Sequence, residues 1–213
     1  MKEFKQWHID TLGAKAVEAL TKNNFAATYV KTREEAVKQI VALIPRDATV
    51  GVGGSWTIQE IGLDTTLAAR GNTMLNHNVP GLTPEETVAI RHKQLACDVF
   101  ITSTNALTLD GEMVNVDAVG NRVAAMIFGP KKVVIIAGIN KIVRDIVDAQ
   151  NRIELYAAPI NNKRLNRPNP CVKTGECMDC QGPTRICNVT TILHKKPALT
   201  DIHIFIVGEE LGF

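Results

Sequence analysis

Four of the five cysteines in this 213-residue chain fall in one segment, PCVKTGECMDCQGPTRIC, as Cys171, Cys177, Cys180 and Cys187. Their spacing is C-x5-C-x2-C-x6-C. Four thiolates can complete a tetrahedral zinc site or hold an iron–sulfur cluster, and the C-x2-C pair lets one turn present two sulfurs. The pattern matches neither the C-x2-C-x2-C-x3-C-P ferredoxin run nor the paired C-x2-C of a zinc ribbon, so spacing leaves iron–sulfur and zinc both open. Four free thiols or a redox disulfide are the alternatives. The Gly-, Pro- and Asn-rich surroundings offer little apolar surface to order the segment, which favours a metal. The fifth cysteine, Cys97, lies between Ala96 and Asp98 at a helix-to-strand junction and reads as a buried packing residue.

A second group is TVGVGGSWT, residues 49–57, where a strand empties into glycines and a helix begins. Gly53 and Gly54 let the backbone approach a ligand closely, and Ser55 and Thr57 add hydroxyl donors, which together suit a phosphate or carboxylate. The segment lacks both the Lys of a Walker loop and a full G-x-G-x-x-G fingerprint, and such glycines also occur in plain turns. Trp56 lines a pocket or packs in the core.

The third group is spread over the connections between apolar segments: Asn105, Asp110, Asn115, Asp117, Asn121 and Arg122, then Asn140 and Lys141 after a buried-looking strand. Arg122 and Lys141 have the charge to pair with a carboxylate or phosphate. The competing reading is hairpin chemistry for Asp110, helix capping for Gly120 and Asn121, and solvated surface for the cations. Among the histidines, His8, His77, His92, His194 and His203, only His77 sits in a loop that could border a site.

These groups need a scaffold, and the chain supplies strand, loop and helix in alternation. A helix is expected over residues 1–24, with Phe4, Trp7, Leu12, Ala16, Val17 and Leu20 at helical spacing, and a strand over 27–30. Helix 32–44 opens on Thr32 with Glu35 three residues on, a capping box. Strand 49–52, a helix from Thr57, a helix from Pro84 capped by Thr83, strand 99–102, a hairpin around Asp110-Gly111 and helix 121–128 follow. Strand 133–137 is β-branched throughout, as a strand buried on both faces would be, and helix 143–155 comes next. Asn161 to Pro170 reads as irregular, opening a cysteine-rich excursion over 160–196, after which strand 202–207 is expected to rejoin the main sheet. The expectation is one α/β domain with a mostly parallel sheet flanked by helices and ligands at the strand ends.

Composition narrows the function classes. Hydrophobic residues make up 45% and charged residues 22%, and 24 Lys and Arg against 22 Asp and Glu leave a net charge of +2. That excludes a disordered chain and gives no field that would draw it to nucleic acid or an anionic membrane. No apolar run nears the roughly 18 residues that span a bilayer, and residues 1–13 have no signal-peptide core, so a soluble cytoplasmic protein is expected.

Three segments, VGVGGSWTIQEIGL at 50–63, ITSTNALTLDGEMVNVDAVGNRVAAMIFGPKKVVIIAGINKIV at 101–143 and IVGEELGF at 206–213, resemble the lactate-utilisation (LUD-domain) family that includes LutC/YkgG-type proteins. The resemblance implies an α/β fold like that of the sugar-phosphate isomerase and CoA-transferase superfamily, with an anionic ligand at the glycine loop. It implies site roles for Gly53, Gly54, Ser55 and Thr57, for Asn105, Asp110, Asn115, Asp117, Asn121 and Arg122, and for Asn140 and Lys141. The cysteine-rich tail resembles that of the stand-alone branch of the family.

Three functions are compatible with this reading. The first is a component of lactate or related 2-hydroxyacid oxidation to pyruvate, with a small anionic metabolite at the glycine loop, an iron–sulfur cluster at the four cysteines and iron–sulfur partner proteins. The second is a stand-alone enzyme on a sugar-phosphate or CoA-type ligand with structural zinc. The third is a metabolite sensor without catalysis. A homo-oligomer is compatible with each.

Overall fold

The computed structural model describes residues 1–213. Helix α1 (Lys2–Lys22) and strand β1 (Ala26–Val30) open the chain, followed by α2 (Arg33–Leu43), β2 (Thr49–Val52), the short helices α3 (Trp56–Glu60) and α4 (Leu63–Ala69), and β3 (Thr73–Asn76). Next come α5 (Pro84–Gln94), β4 (Val99–Ser103), β5 (Ala106–Thr108), β6 (Met113–Asp117), α6 (Asn121–Ile127), β7 (Lys132–Gly138) and β8 (Ile142–Val143). Helices α7 (Ile146–Arg152), α8 (Ala158–Arg164) and α9 (Cys171–Thr174) and strands β9 (Val189–Leu193) and β10 (Asp201–Val207) follow. No helix is long and apolar enough to cross a membrane.

Six strands form a wholly parallel sheet in the order β1-β10-β7-β4-β2-β3. The α/β class holds, and β10 joins the main sheet, seated between β1 and β7. Successive side chains of a strand point to opposite faces. Val134 and Ile136 of β7 and Phe205 and Val207 of β10 therefore pack with Ile40, Ile58 and Leu67 on one face. Val133, Ile135, Ile202, Ile204 and Ile206 meet Leu20, Met113 and Met126 on the other. Burial on both faces is why these strands are apolar without alternation.

The caps form largely as read. At α5 both bonds of the box are made, Glu86 N–H to Thr83 Oγ1 at 3.2 Å and Thr83 N–H to the Glu86 carboxylate at 2.8 Å. At α2 only half forms: Thr32 Oγ1 accepts from Glu35 N–H, while the Glu35 carboxylate accepts from Lys31 N–H at 3.4 Å. In α1 the apolar spacing does not mark a buried face throughout. Phe4 and Trp7 are 72% and 66% exposed, because burial begins only at Gly13, Ala16 and Leu20.

Two features depart from the sequence reading. A second sheet, β8-β5-β6-β9, contains the expected hairpin and also β9, which pairs antiparallel with β6 inside the segment read as a cysteine-rich excursion. That excursion thus returns to sheet structure by residue 189. The other departure is the helix read as ending near Leu155 before irregular chain. It runs from α7 through a π turn at Ile153–Ala157 into α8, ending at Arg164. Pro159 does not break it. The helix widens instead, with Ala158 N–H bonding to Ile153 O five residues back. A π partner for Glu154 O would be Pro159, which has no N–H, and this carbonyl accepts Cys177 N–H at 2.9 Å. The turn that accommodates the proline thereby ties the cysteine segment to the helix.

Candidate functional site

All six main-sheet strands point the same way, so the loops after β2, β3, β4 and β7 gather along one edge. A cavity of about 300 Å³ opens there, bounded on its far side by Asn161, Arg164 and Phe213. Gly53, Gly54, Ser55 and Thr57 form one wall. A Cβ on Gly53 would lie 2.5 Å from Thr102 Oγ1, and Gly54 has φ +67°, so both positions require glycine for the loop to take this path.

Four arginines, Arg91, Arg122, Arg164 and Arg167, and Lys141 line the cavity against a single carboxylate, Asp117. That carboxylate is already neutralised. Arg122 and Asp117 are an ion pair at 2.6 Å with side chains 13% and 8% exposed. A guanidinium has five N–H groups, and Arg122 spends them within the protein: on Asp117 Oδ1, Ser103 O, Asn115 Oδ1, Asn105 Oδ1 and Val116 O, at 2.7–3.2 Å. Asp117 Oδ2 also accepts Val123 N–H in the first turn of α6. Arg122 is therefore a clamp joining β4, β6 and α6, and its donors are not free for a ligand.

Lys141 is 3% exposed and donates to Thr57 Oγ1 at 3.0 Å and Ser103 Oγ at 2.9 Å. Burial, and after it the positive charges of Arg152 and Arg122, bring its amine down to about 7, with Glu60 opposing weakly. Arg152 holds its neighbours by donating to Asn140 O and Asn105 O.

Arg91, Arg164 and Arg167 pair with no carboxylate, and of these Arg91 has a buried Nε with no hydrogen-bond partner. Arg164 lies beyond it, donating twice to Asn161 Oδ1 and paired with no carboxylate. His77 borders Arg91. Gln94 Nε2 donates to Val52 O and Leu75 O, and the same amide meets His77 Nδ1, with Oε1 at 3.2 Å and Nε2 at 3.0 Å. Burial first, and Arg91 second, hold this imidazole below its ordinary value and hence neutral at pH 7.

Cys171, Cys177, Cys180 and Cys187 line a second, smaller cavity of about 20 Å³ together with Ile186, and Ile186 is also a wall of the large cavity. Burial and the neighbouring thiolates push Cys187 up to about 11. Asp179 N–H points at Cys177 Sγ at 3.4 Å, and Arg185 donates to the carbonyls of Cys180 and Cys187. Polar bonds order the segment in place of apolar packing: Asn169 Nδ2 donates to Asn162 Oδ1 and Thr184 O, and Thr184 Oγ1 to Asn169 Oδ1. No group of three or more Cys, His, Asp or Glu side chains is placed to hold a metal ion.

The family model of the LUD domain matches residues 13–207. The chain belongs to the LUD-domain family. Among solved structures it is similar to a DUF162 family protein from Deinococcus radiodurans, with 14% identity, 93% of this chain and 98% of that one covered, and a TM-score of 0.53. That likeness is one of fold. No curated protein matches the chain.

Of the residues read from sequence, this LUD domain brings Gly53, Gly54, Ser55, Thr57, Asn105, Asp117, Asn121, Arg122 and Lys141 to one cavity. Asn115 lies behind Arg122 as its acceptor. Asn140 is spent on the chain, its amide bonding Gly212 O and Leu211 N–H. Asp110 is remote: it sits in the exposed hairpin turn, where its carbonyl accepts from Asn23. Cys97 is buried as expected. Sequence reading missed Ser103, Arg91 and Arg164. Ser103 follows a strand core and was detectable as the polar end of β4, whereas the two arginines lie on helices whose charges look like solvated faces.

Arg91 gives a direct test. Arg91→Met is expected to weaken phosphate or oxalate binding by roughly tenfold or more, the value of a charge-assisted hydrogen bond, measured by titration calorimetry. Its unfolding midpoint should stay unchanged, since Arg91 Nε has no partner within the protein to lose.

Proposed function

We propose that this LUD domain is a component of the oxidation of lactate or a related 2-hydroxyacid to the 2-oxo acid, holding the small anion in the cationic cavity and an iron–sulfur cluster at Cys171, Cys177, Cys180 and Cys187. The observation that carries this reading is Ile186, which lines both the anion cavity and the four-thiol cavity. The family's association with lactate utilisation supplies the substrate class.

The four thiolates suit a cluster or a zinc ion, and the cluster is the reading taken because the proposed oxidation needs an electron carrier. The four thiols line one small cavity. When bound, the cluster supplies electron transfer to iron–sulfur partner proteins. The chain's own residues bind and orient the anion: Arg91 and Arg164 offer positive charge, His77 borders the same space, and Ile186 and Phe213 add apolar wall. The excess of cation over carboxylate suits the carboxylate of such an acid.

Protein purified without oxygen is expected to contain iron and sulfide and to absorb broadly toward the blue. Cys177→Ser should lose that iron. Stoichiometric zinc, a metal-free protein, or full iron retention in Cys177→Ser would overturn the cluster assignment.

A further inference from the structure

We propose that Lys141 is an amine nucleophile that forms an imine with the carbonyl carbon of a small anionic 2-oxo acid held in the large cavity. This rests on the anion-cavity reading above and assigns the cavity a covalent chemistry of its own.

The hydrogen-bond count around Nζ carries the argument. A neutral lysine amine has two N–H groups and one lone pair, whereas an ammonium has three N–H groups and none. Two acceptors are present, Thr57 Oγ1 at 3.0 Å and Ser103 Oγ at 2.9 Å. Each hydroxyl has a backbone carbonyl toward which its own hydrogen can turn, Leu211 O at 3.5 Å from Thr57 and Thr104 O at 3.4 Å from Ser103, long contacts that leave both oxygens free to receive from Nζ. The lone pair is left over. Nζ pairs with no carboxylate, in contrast to Arg122 beside it, and its side chain lines the cavity. Division of labour follows: Arg91 and Arg164 supply charge for the substrate's carboxylate, and Lys141 is left as a base or nucleophile. Its position near 7 makes the neutral fraction at pH 7 roughly a thousandfold that of a lysine at 10.5.

The step balances without an oxidant. The nitrogen lone pair forms the N–C bond as the carbonyl π pair moves to oxygen, which takes up a proton. Nitrogen gives up a proton, for which the Ser103 and Thr57 hydroxyls are the relays in contact. The carbinolamine oxygen then takes a second proton, the C–O bond breaks and water leaves as the nitrogen lone pair forms C=N, and nitrogen gives up its remaining proton by the same relays. A 2-hydroxyacid has no carbonyl and does not react, so the chemistry belongs to the oxidised member of the pair.

The test uses the full chain at pH 7 with pyruvate and sodium cyanoborohydride, read by intact mass and peptide mapping, alongside calorimetric titration with pyruvate, L-lactate and phosphate. The expected result is one adduct, heavier by pyruvate less one oxygen, mapped to Lys141 and absent with L-lactate. Mapping on the wild-type chain needs no variant; Lys141→Met, where folded, should give none. Pyruvate binding without an adduct at Lys141, or adducts spread evenly over surface lysines, would overturn the amine chemistry and leave the anion cavity standing. Absence of binding by all three anions would remove the cavity reading and this proposal with it.

Discussion

Lys141→Met should make the protein more stable at pH 6 by about 3 kcal/mol, although it removes a residue from the centre of the site. The fall of the Lys141 amine from 10.5 to about 7 on folding corresponds, at about 1.4 kcal/mol per tenfold, to a penalty on the order of 5 kcal/mol for burying the charged form. Methionine fills similar space without the charge. Against this gain, Thr57 and Ser103 lose a donor, costing about 1 kcal/mol each at most. Below pH 7 both folded and unfolded chains carry the proton and the wild type bears the full penalty. Between about 7 and 10.5 the unfolded chain binds more protons, so wild-type stability attributable to this group rises with pH, and above that window the penalty is gone. Chemical unfolding at pH 6 and pH 9 measures this. The wild type should gain on the variant as pH rises, and parallel profiles would show that Lys141 is not a buried charge.

Arg122→Ala should have the opposite sign and a comparable size. Removing the guanidinium leaves Asp117 buried and without its ion-pair partner, and breaking such a pair costs about 3–5 kcal/mol. Asn105, Asn115 and the Ser103 carbonyl lose donors at the same stroke. For a domain of this length the unfolding midpoint should fall by roughly 10 °C. Asp117→Asn with Arg122→Met, which removes both charges, should recover part of the loss. A midpoint within 2 °C or so of wild type for Arg122→Ala would show that the clamp contributes little.

These opposite effects also mark what the sequence could disclose. Arg122 and Lys141 look alike as cations after apolar segments, and both read as ligand contacts. Their difference lies in partners: Asn105, Asn115 and Asp117 were visible as polar residues of one segment, yet that their acceptors all face Arg122 follows only from the crossing of β4, β6 and α6. The glycine loop was legible because a strand running into Gly53-Gly54-Ser55 is a local signal. The parallel sheet was legible in the unbroken apolar runs of β7 and β10. Strand β9 was not, since VTTIL at the edge of a second sheet is half polar and half exposed. Helix α8 was hidden by Pro159, whose usual breaking effect is absorbed by a π turn and a hydrogen bond to Cys177, a residue 18 positions on.

The seat of β10 between β1 and β7 bears on how the chain is made. Strand β1 touches the main sheet only through β10, and some 170 residues separate the two. During synthesis α1 and β1 emerge first but have no neighbour to pair with until Asp201–Val207 leaves the ribosome. In the order of translation β1 therefore waits unpaired while every other strand of the sheet is made, and the sheet is completed from the far end of the chain.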